Sequence, residues 1–398
     1  MDLRSAELDE SGLPQSYASC FQSLPFYLDF ARFGPPSLNV AECHASSLRN
    51  LASDPSVVDA LAPVAARTEA LAATLTGRSS ADQVVLVPNT SSGLFQLAFA
   101  LQGGAILVSP QEFPANVYPW TQAARRGGPA VCWLVPPDGR VTPEAVAAAL
   151  RPEITALAVS AVDFRTGYRA DLAALRDILG ERLLLVDAIQ AFGVVDLPWH
   201  LVDAVVTGGQ KWLRAGWGSG FLSLSSRALD RLALDRLGGS LSGWSGAVAA
   251  DRFDGLLHEP ESCAARFRMT NPDLVAVAAL ETALQLFASA GPARIEHAVT
   301  ARVDALLSVI SDYGAHTLVP LSPRERAGII PLVLPTRDPK IVGSALRDAG
   351  LAISIREDHV RLSPHATTPF AAVERFAAVL RTLAPPRPVR HASSATPS

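Results

Sequence analysis

Lysine is almost missing from this chain. Of its 34 basic residues only two, Lys211 and Lys340, are lysines; the rest are arginines. Arginine cannot lose its proton near neutral pH, whereas a desolvated lysine can, and its free amine then forms imines. Cysteine is also sparse. Cys20, Cys43, Cys132 and Cys263 lie far apart, with no CxxC or Cys/His ligand spacing, which speaks against a structural zinc and fits a reducing cytosol. No GxGxxG follows a strand pattern and no His/Asp/Glu cluster occurs, so nicotinamide and metal-hydrolase chemistry lack their usual parts. No apolar run approaches membrane-spanning length, and the acidic, polar start MDLRSAELDESG is unlike a signal peptide. A net charge of -4 offers no footprint for nucleic acid or an anionic membrane. A cytoplasmic location is the expectation.

What is present reads as a well-buried globular enzyme of 398 residues, 49% hydrophobic and 18% charged, long enough for a large domain and a smaller one. Apolar runs at QVVLVPN (83–89), GGAILVSP (103–110), PAVCWLVP (129–136), ITALAVSAV (154–162), RLLLVDA (182–188), LVDAVVTG (201–208) and SGFLSLS (219–225) predict strands. Between them SSGLFQLAFAL, TPEAVAAALR and RADLAALRDILG predict helices, with Thr142 as an N-cap and Pro143 in the first turn. This alternation implies an α/β fold with a parallel sheet covered on both faces. After about residue 290 a long amphipathic helix, the strands IIPLVLP, LAISIR and HVRLSP, and two further helices predict a small α+β domain. The expected division is 1–40 as a segment serving the small domain and the mouth of the site, 41–290 as the large domain, 291–384 as the small domain, and 385–398 as a Pro/Ser-rich disordered tail.

Ligands of such sheets bind at the carboxyl ends of the strands, where five features fall. Asn89-Thr90-Ser91-Ser92-Gly93 precedes a helix and offers hydroxyls and free N–H groups to an anion, or simply caps that helix. Asp187 ends an apolar strand, where a carboxylate is costly without a cationic partner, and Gln190 follows three residues on. Lys211 ends the next strand, in VVTGGQKWLRAGWGSG. Phe113, in QEFPANVYPW, can stack on a flat ring or fill the core. Arg356 and Arg361, in ISIREDHVRLSPH, suit bidentate binding of a carboxylate. An imine-forming lysine, a carboxylate for a ring nitrogen and a phosphate cup are what pyridoxal 5'-phosphate requires.

On these residues the chain resembles the class V aminotransferase-like family of fold type I pyridoxal-phosphate enzymes, which includes cysteine desulfurases, kynureninase, isopenicillin epimerase-like proteins and C–S lyases. The resemblance runs from FYLDFARFGPPS (26–37) to VRLSPH (360–365). It implies a large domain with a mostly parallel seven-stranded sheet and a small C-terminal domain. It further implies that Lys211 carries the cofactor as an imine, Asp187 pairs with the ring nitrogen and Gln190 meets the ring's phenolic oxygen. Thr90 and Ser91 would hold the phosphate and Phe113 would stack where many relatives place histidine. Gln210 stands where desulfurases have histidine. Thr270, in RMTNPD, matches a threonine that reaches the partner subunit's phosphate, which implies a homodimer. Arg361 matches the carboxylate-binding arginine of the kynureninase and aminotransferase branches and is favoured; Arg356 matches that of the desulfurase branch. Asp163 and Arg165 read a polar substrate or pair with each other. The family's YNT after the late arginine is ATT (366–368) here, which implies a different substrate mouth. No cysteine occurs in 315–355, where desulfurases carry their nucleophile.

The leading expectation is β-elimination from an S-substituted cysteine, giving thiol, pyruvate and ammonia. An aminotransferase is the runner-up, followed by epimerising, decarboxylating or oxidatively deaminating variants of natural-product pathways. A reading from another class is an inactive cofactor-binding regulator or scaffold; the absence of a helix-turn-helix extension and the intact Lys211 and Asp187 weigh against it.

Overall fold

The computed structural model describes residues 8, 12–232, 243–320 and 322–383, so the expected tail at 385–398 lies outside the described residues. Strands β1 (Val84–Val87), β2 (Ala105–Val108), β3 (Ala130–Trp133), β4 (Ile154–Ser160), β5 (Leu183–Asp187), β6 (Ala204–Gly208) and β7 (Gly220–Leu224) form one sheet in the order β1-β7-β6-β5-β4-β2-β3. Every residue of β5 and β6 is buried. That explains their unbroken apolar runs, since a strand covered on both faces has no solvent side for polar residues. Each of the seven predicted strands is found.

One strand departs from the parallel expectation. β7 is antiparallel to both β6 and β1. A parallel pair needs a crossover of a dozen or more residues, commonly with a helix, and β6 is joined to β7 only by residues 209–219. The short loop therefore turns the chain straight back, and it carries Lys211. Because β7 is antiparallel to both neighbours, β1 runs the same way as β6, and the carboxyl ends of β1, β2, β4, β5 and β6 share one edge.

Helices α1 (Gln15–Ala18), α2 (Leu38–Ser53) and α3 (Val57–Leu75) precede the sheet; α4 (Thr90–Ala100), α5 (Tyr118–Ala124), α6 (Pro143–Ala149), α7 (Leu172–Leu179) and α8 (Ser226–Arg231) follow its strands. Thr142 caps α6, its Oγ1 accepting from Ala145 N at 3.2 Å, with Pro143 in the first turn. Two long helices follow, α9 (Leu274–Ala290) and α10 (Pro292–Asp312). α9 packs on α2 and α3. Among the described residues no single helix is long and apolar enough to cross a membrane; α9 and α10 reach that length only as a pair bent by 80°.

A second sheet, order β10-β11-β9-β8, is antiparallel throughout and comprises β8 (His316–Thr317), β9 (Ile330–Val333), β10 (Ser354–Ile355) and β11 (Val360–Leu362). Helices α11 (Pro339–Asp348) and α12 (Ala371–Leu383) pack with α10 around it. The segment before α2 runs alongside: Tyr27 bridges Ala352 and Asp29 bridges Ser363, both in parallel sense.

Candidate active site

The shared edge of the large sheet and the β10–β11 hairpin enclose a cavity of about 390 Å³. Lys211, Gln190, Phe113, Arg356 and Arg361 line it, so the structure brings together residues that lie up to 248 positions apart in the chain, from Phe113 to Arg361. Asp187 lies at the neighbouring strand end, 1% exposed. Its Oδ1 accepts from the Ile189 backbone N–H at 2.9 Å, and its Oδ2 is buried with no hydrogen-bond partner. Burial pushes its carboxyl up to about 6, opposed by the Ile189 bond and by the charge of Lys211.

Burial likewise pushes the Lys211 amine down to about 8; Asp187 opposes this, and Arg361 and Arg356 add to it. Its Nζ stands 5.7 Å from the centroid of the Phe113 ring, itself held edge-on by Phe164 at 5.2 Å. The amine is thus close to deprotonation at physiological pH, as an imine-forming lysine has to be. Amine-selective labelling of the cofactor-free protein, followed by peptide mass spectrometry, should give a Lys211 rate profile with a midpoint near pH 8. Asp187→Asn removes the charge that raises this value, so its midpoint should fall below that of the wild type. An unchanged midpoint would deny the coupling.

The loop around Lys211 is fixed from outside. Gly34 N–H donates to Gln210 O at 2.9 Å, and a Cβ on Gly34 would lie 1.9 Å from Lys211 O. The Gly-Pro of the N-terminal segment therefore crosses directly over the lysine's backbone, where only glycine fits. Three residues on, Arg214 adopts a left-handed φ of 59°, a rare conformation outside glycine. It is held there by bonds from Nε to Pro35 O (2.6 Å) and from Nη1 to Thr367 Oγ1 (2.9 Å), and by stacking on Phe21. Gly34→Ala should cost about 2–3 kcal/mol in a melting experiment, because a backbone atom cannot yield as a side chain does.

Gln190 is oriented by two bonds, donating to Ala31 O (3.0 Å) and accepting from Trp212 Nε1 (2.8 Å). Thr90 opens α4 from the end of β1, and its Oγ1 is buried without a partner. A Cβ on Gly208 would sit 3.2 Å from that Oγ1 and 2.5 Å from Gln210 Oε1. Gly208 thus leaves the backbone open beside Thr90 and Gln210, while Gly209 makes room for Ala215, whose Cβ a Cβ there would meet at 2.8 Å. Ser91 is exposed at the same helix start, and Asn89 caps it by accepting from Ser92 N at 2.9 Å.

Two candidates lie elsewhere. Arg165 does not line the cavity; it points to Gln111 Oε1 (3.2 Å), Gly139 O (3.4 Å) and Asp163 Oδ2 (3.5 Å), so of the two roles open for the Asp163/Arg165 pair the structure has them pairing with each other. Thr270 is exposed in the loop before α9. The ATT stretch is also not at the cavity wall: Thr367 takes the bond from Arg214 described above.

The two late arginines differ sharply. Arg361 is 2% exposed, with Nη2 3.4 Å from Ser354 Oγ and 3.5 Å from Asp29 Oδ1, while Ser354 Oγ donates to Asp29 at 2.7 Å. Its Nε is buried without a partner. Arg356 is exposed at the mouth. Sequence reading missed Asp29, Arg32, Glu112, Trp212 and Arg347. Asp29 and Arg32 sit within YLDFARF, whose pairing with Ala352 and Ser363 has no local signal. Glu112 follows a strand as Asp187 does, and that carboxylate could have been noticed; it is buried, accepts from Ser160 N (2.9 Å) and Asn116 Nδ2 (3.3 Å), and is pushed up to about 7, by burial above all.

The residues fit pyridoxal phosphate on three observations: a buried carboxylate oxygen of Asp187 with no partner, a buried hydroxyl of Thr90 with no partner beside Gly208, and a desolvated lysine at the cavity wall. Relatives point the same way. The chain is 28% identical over 310 residues to a probable cysteine desulfurase of Aeropyrum pernix, covering 71% of this chain and 73% of that protein. It is 26% identical over 262 residues to a kynureninase of Deinococcus radiodurans, covering 62% of this chain but only 61% of the relative. A cysteine desulfurase from Thermococcus onnurineus NA1 has the same fold, with a TM-score of 0.78 at 19% identity over 95% of this chain and 99% of that one. The cystine C–S lyase C-DES does also, with a TM-score of 0.79 at 18% identity over 89% and 96%. The family model for aminotransferase class V matches residues 54–381, from just before α3 into α12, and the chain belongs to that family.

Proposed function

We propose that the protein is a pyridoxal-phosphate enzyme that cleaves the Cβ–S bond of an S-substituted cysteine. The carrying observation is the convergence of a cavity-lining Lys211 amine and the unpartnered Asp187 Oδ2 at adjacent strand ends. Lys211 Nζ, Asp187, Gln190, Phe113 and the Thr90/Ser91/Gln210 cup would hold the cofactor, which supplies an electron sink conjugated to the substrate's amine. Arg361 would clamp the α-carboxylate, its guanidinium oriented from behind by Asp29 and Ser354. Lys211 Nζ then takes the Cα proton. The electron pair left on Cα forms the Cα–Cβ double bond as Cβ–S breaks and the thiolate leaves. Addition of water to the resulting 2-aminoacrylate releases ammonia and pyruvate. The absence of cysteine from 315–355 supports transfer of sulfur to solvent rather than to a protein thiol. The same proposal includes a homodimer in which Thr270 reaches the partner's cofactor phosphate, and a reducing, cytoplasmic setting for the four free cysteines.

The test is product analysis by mass spectrometry after incubating the cofactor-loaded protein with S-substituted cysteines, with and without a 2-oxo acid. Thiol and pyruvate without the oxo acid are expected. Turnover only with the oxo acid would replace the lyase by an aminotransferase, and loss of carbon dioxide or of Cα stereochemistry would replace both.

A further inference from the structure

Arginine dominates the wall of the cavity. Besides Arg361 it is lined by Arg32, Arg347 and Arg356, and no carboxylate side chain lines it. These four come from three separate places, the segment before α2, the last turn of α11 and the β10–β11 hairpin, so their convergence is a product of the fold rather than of a local basic run. Only Arg361 has a carboxylate partner, Asp29 at 3.5 Å. Arg32 and Arg356 form no side-chain hydrogen bond or ion pair with the described residues, and Arg347 makes one long bond, from Nη2 to Ile353 O at 3.5 Å. Their mutual repulsion is felt inside: Arg356 and Arg32 both lower Arg361, and Arg356 lowers Lys211.

An amino acid brings one carboxylate, and the buried guanidinium of Arg361, with its unpartnered Nε, is enough to take it. The three exposed guanidiniums at the mouth are then left facing whatever the substrate carries beyond Cβ. Gathering like charges around a cavity is costly unless the ligand neutralises them, and it selects against neutral and cationic ligands by the same energy.

We propose that this site selects an amino acid whose side chain or leaving group carries a second acidic group, a carboxylate or an equivalent oxyanion, held at the mouth by Arg32, Arg347 and Arg356. It rests on the reading that the cavity binds an amino acid, and not on which bond is broken.

The experiment is calorimetric titration of the holoenzyme with L-2-aminoadipate and with its side-chain amide, which differ only in the distal charge. The acid should bind about tenfold or more tightly than the amide, the worth of one charge-assisted contact. The preference should shrink as salt is raised, and in the Arg32→Met/Arg347→Met double variant the two affinities should converge. A single variant, Arg347→Met, gives a partial loss should the double variant fold poorly. Equal binding of acid and amide by a coloured holoenzyme would overturn this proposal alone, as would a preference that survives both variants. Binding of neither ligand, with no cofactor colour, would overturn the functional reading and this proposal with it.

Discussion

Lys211→Ala is expected to yield a colourless protein whose turnover is lower by on the order of 10²–10⁴-fold, the usual worth of a positioned proton-transfer group. The effect is large because one amine has two tasks. In the proposed reaction it anchors the cofactor and it moves the Cα proton. Neither task can pass to another lysine: the chain's one other, Lys340, is exposed at the start of α11 and does not line the cavity. Lys340→Ala should leave colour and turnover at wild-type levels, which separates loss of the amine from loss of charge. Visible absorption and initial rates read both. A yellow, active Lys211→Ala protein would refute the assignment.

Asp187→Asn should lower kcat/KM by about 10²–10³-fold, the range for removing one preorganised electrostatic group from a water-excluded site. Asparagine keeps the shape and can still accept the Ile189 N–H bond, so the fold should survive. What is lost is the negative charge. With its carboxyl at about 6, the wild-type group is largely ionised at pH 7 and can stabilise a protonated ring nitrogen. The sign follows for pH as well: below about 6 the carboxyl gains its proton and loses that ability, so cofactor affinity of the wild type should weaken as pH falls through 6. The asparagine variant should lack this dependence. Fluorescence titration with the cofactor across pH 5–8 measures both (a range set by the carboxyl at about 6), and an equally steep dependence in the variant would assign it to another group.

Much of the site could be read from the chain because it lies at strand ends. An apolar run that stops at Asp187, and another that stops before Gly208-Gly209-Gln210-Lys211, announce their positions through burial periodicity alone. The scarcity of lysine made Lys211 conspicuous. The same composition hid Arg32, in the irregular segment before α2, and Arg347, on α11, since an exposed arginine in an arginine-rich chain looks like any solvated charge. Their role depends on α11 and the segment before α2 meeting over the sheet edge, a non-local packing event. The antiparallel β7 could have been expected from the length of 209–219, which leaves no room for a crossover helix. Arg165 looked well placed after β4, yet Asp163, two residues before it, offered a nearer partner.

The central claim is that Lys211 holds the cofactor, and borohydride reduction of the holoenzyme followed by digestion and peptide mass spectrometry tests it most directly. With only two lysines in the chain the result is unambiguous. A reduced pyridoxyl adduct on the peptide containing Lys211, and none on that containing Lys340, is the expected outcome. An adduct on Lys340, or none on either peptide from a coloured protein, would contradict the site described above.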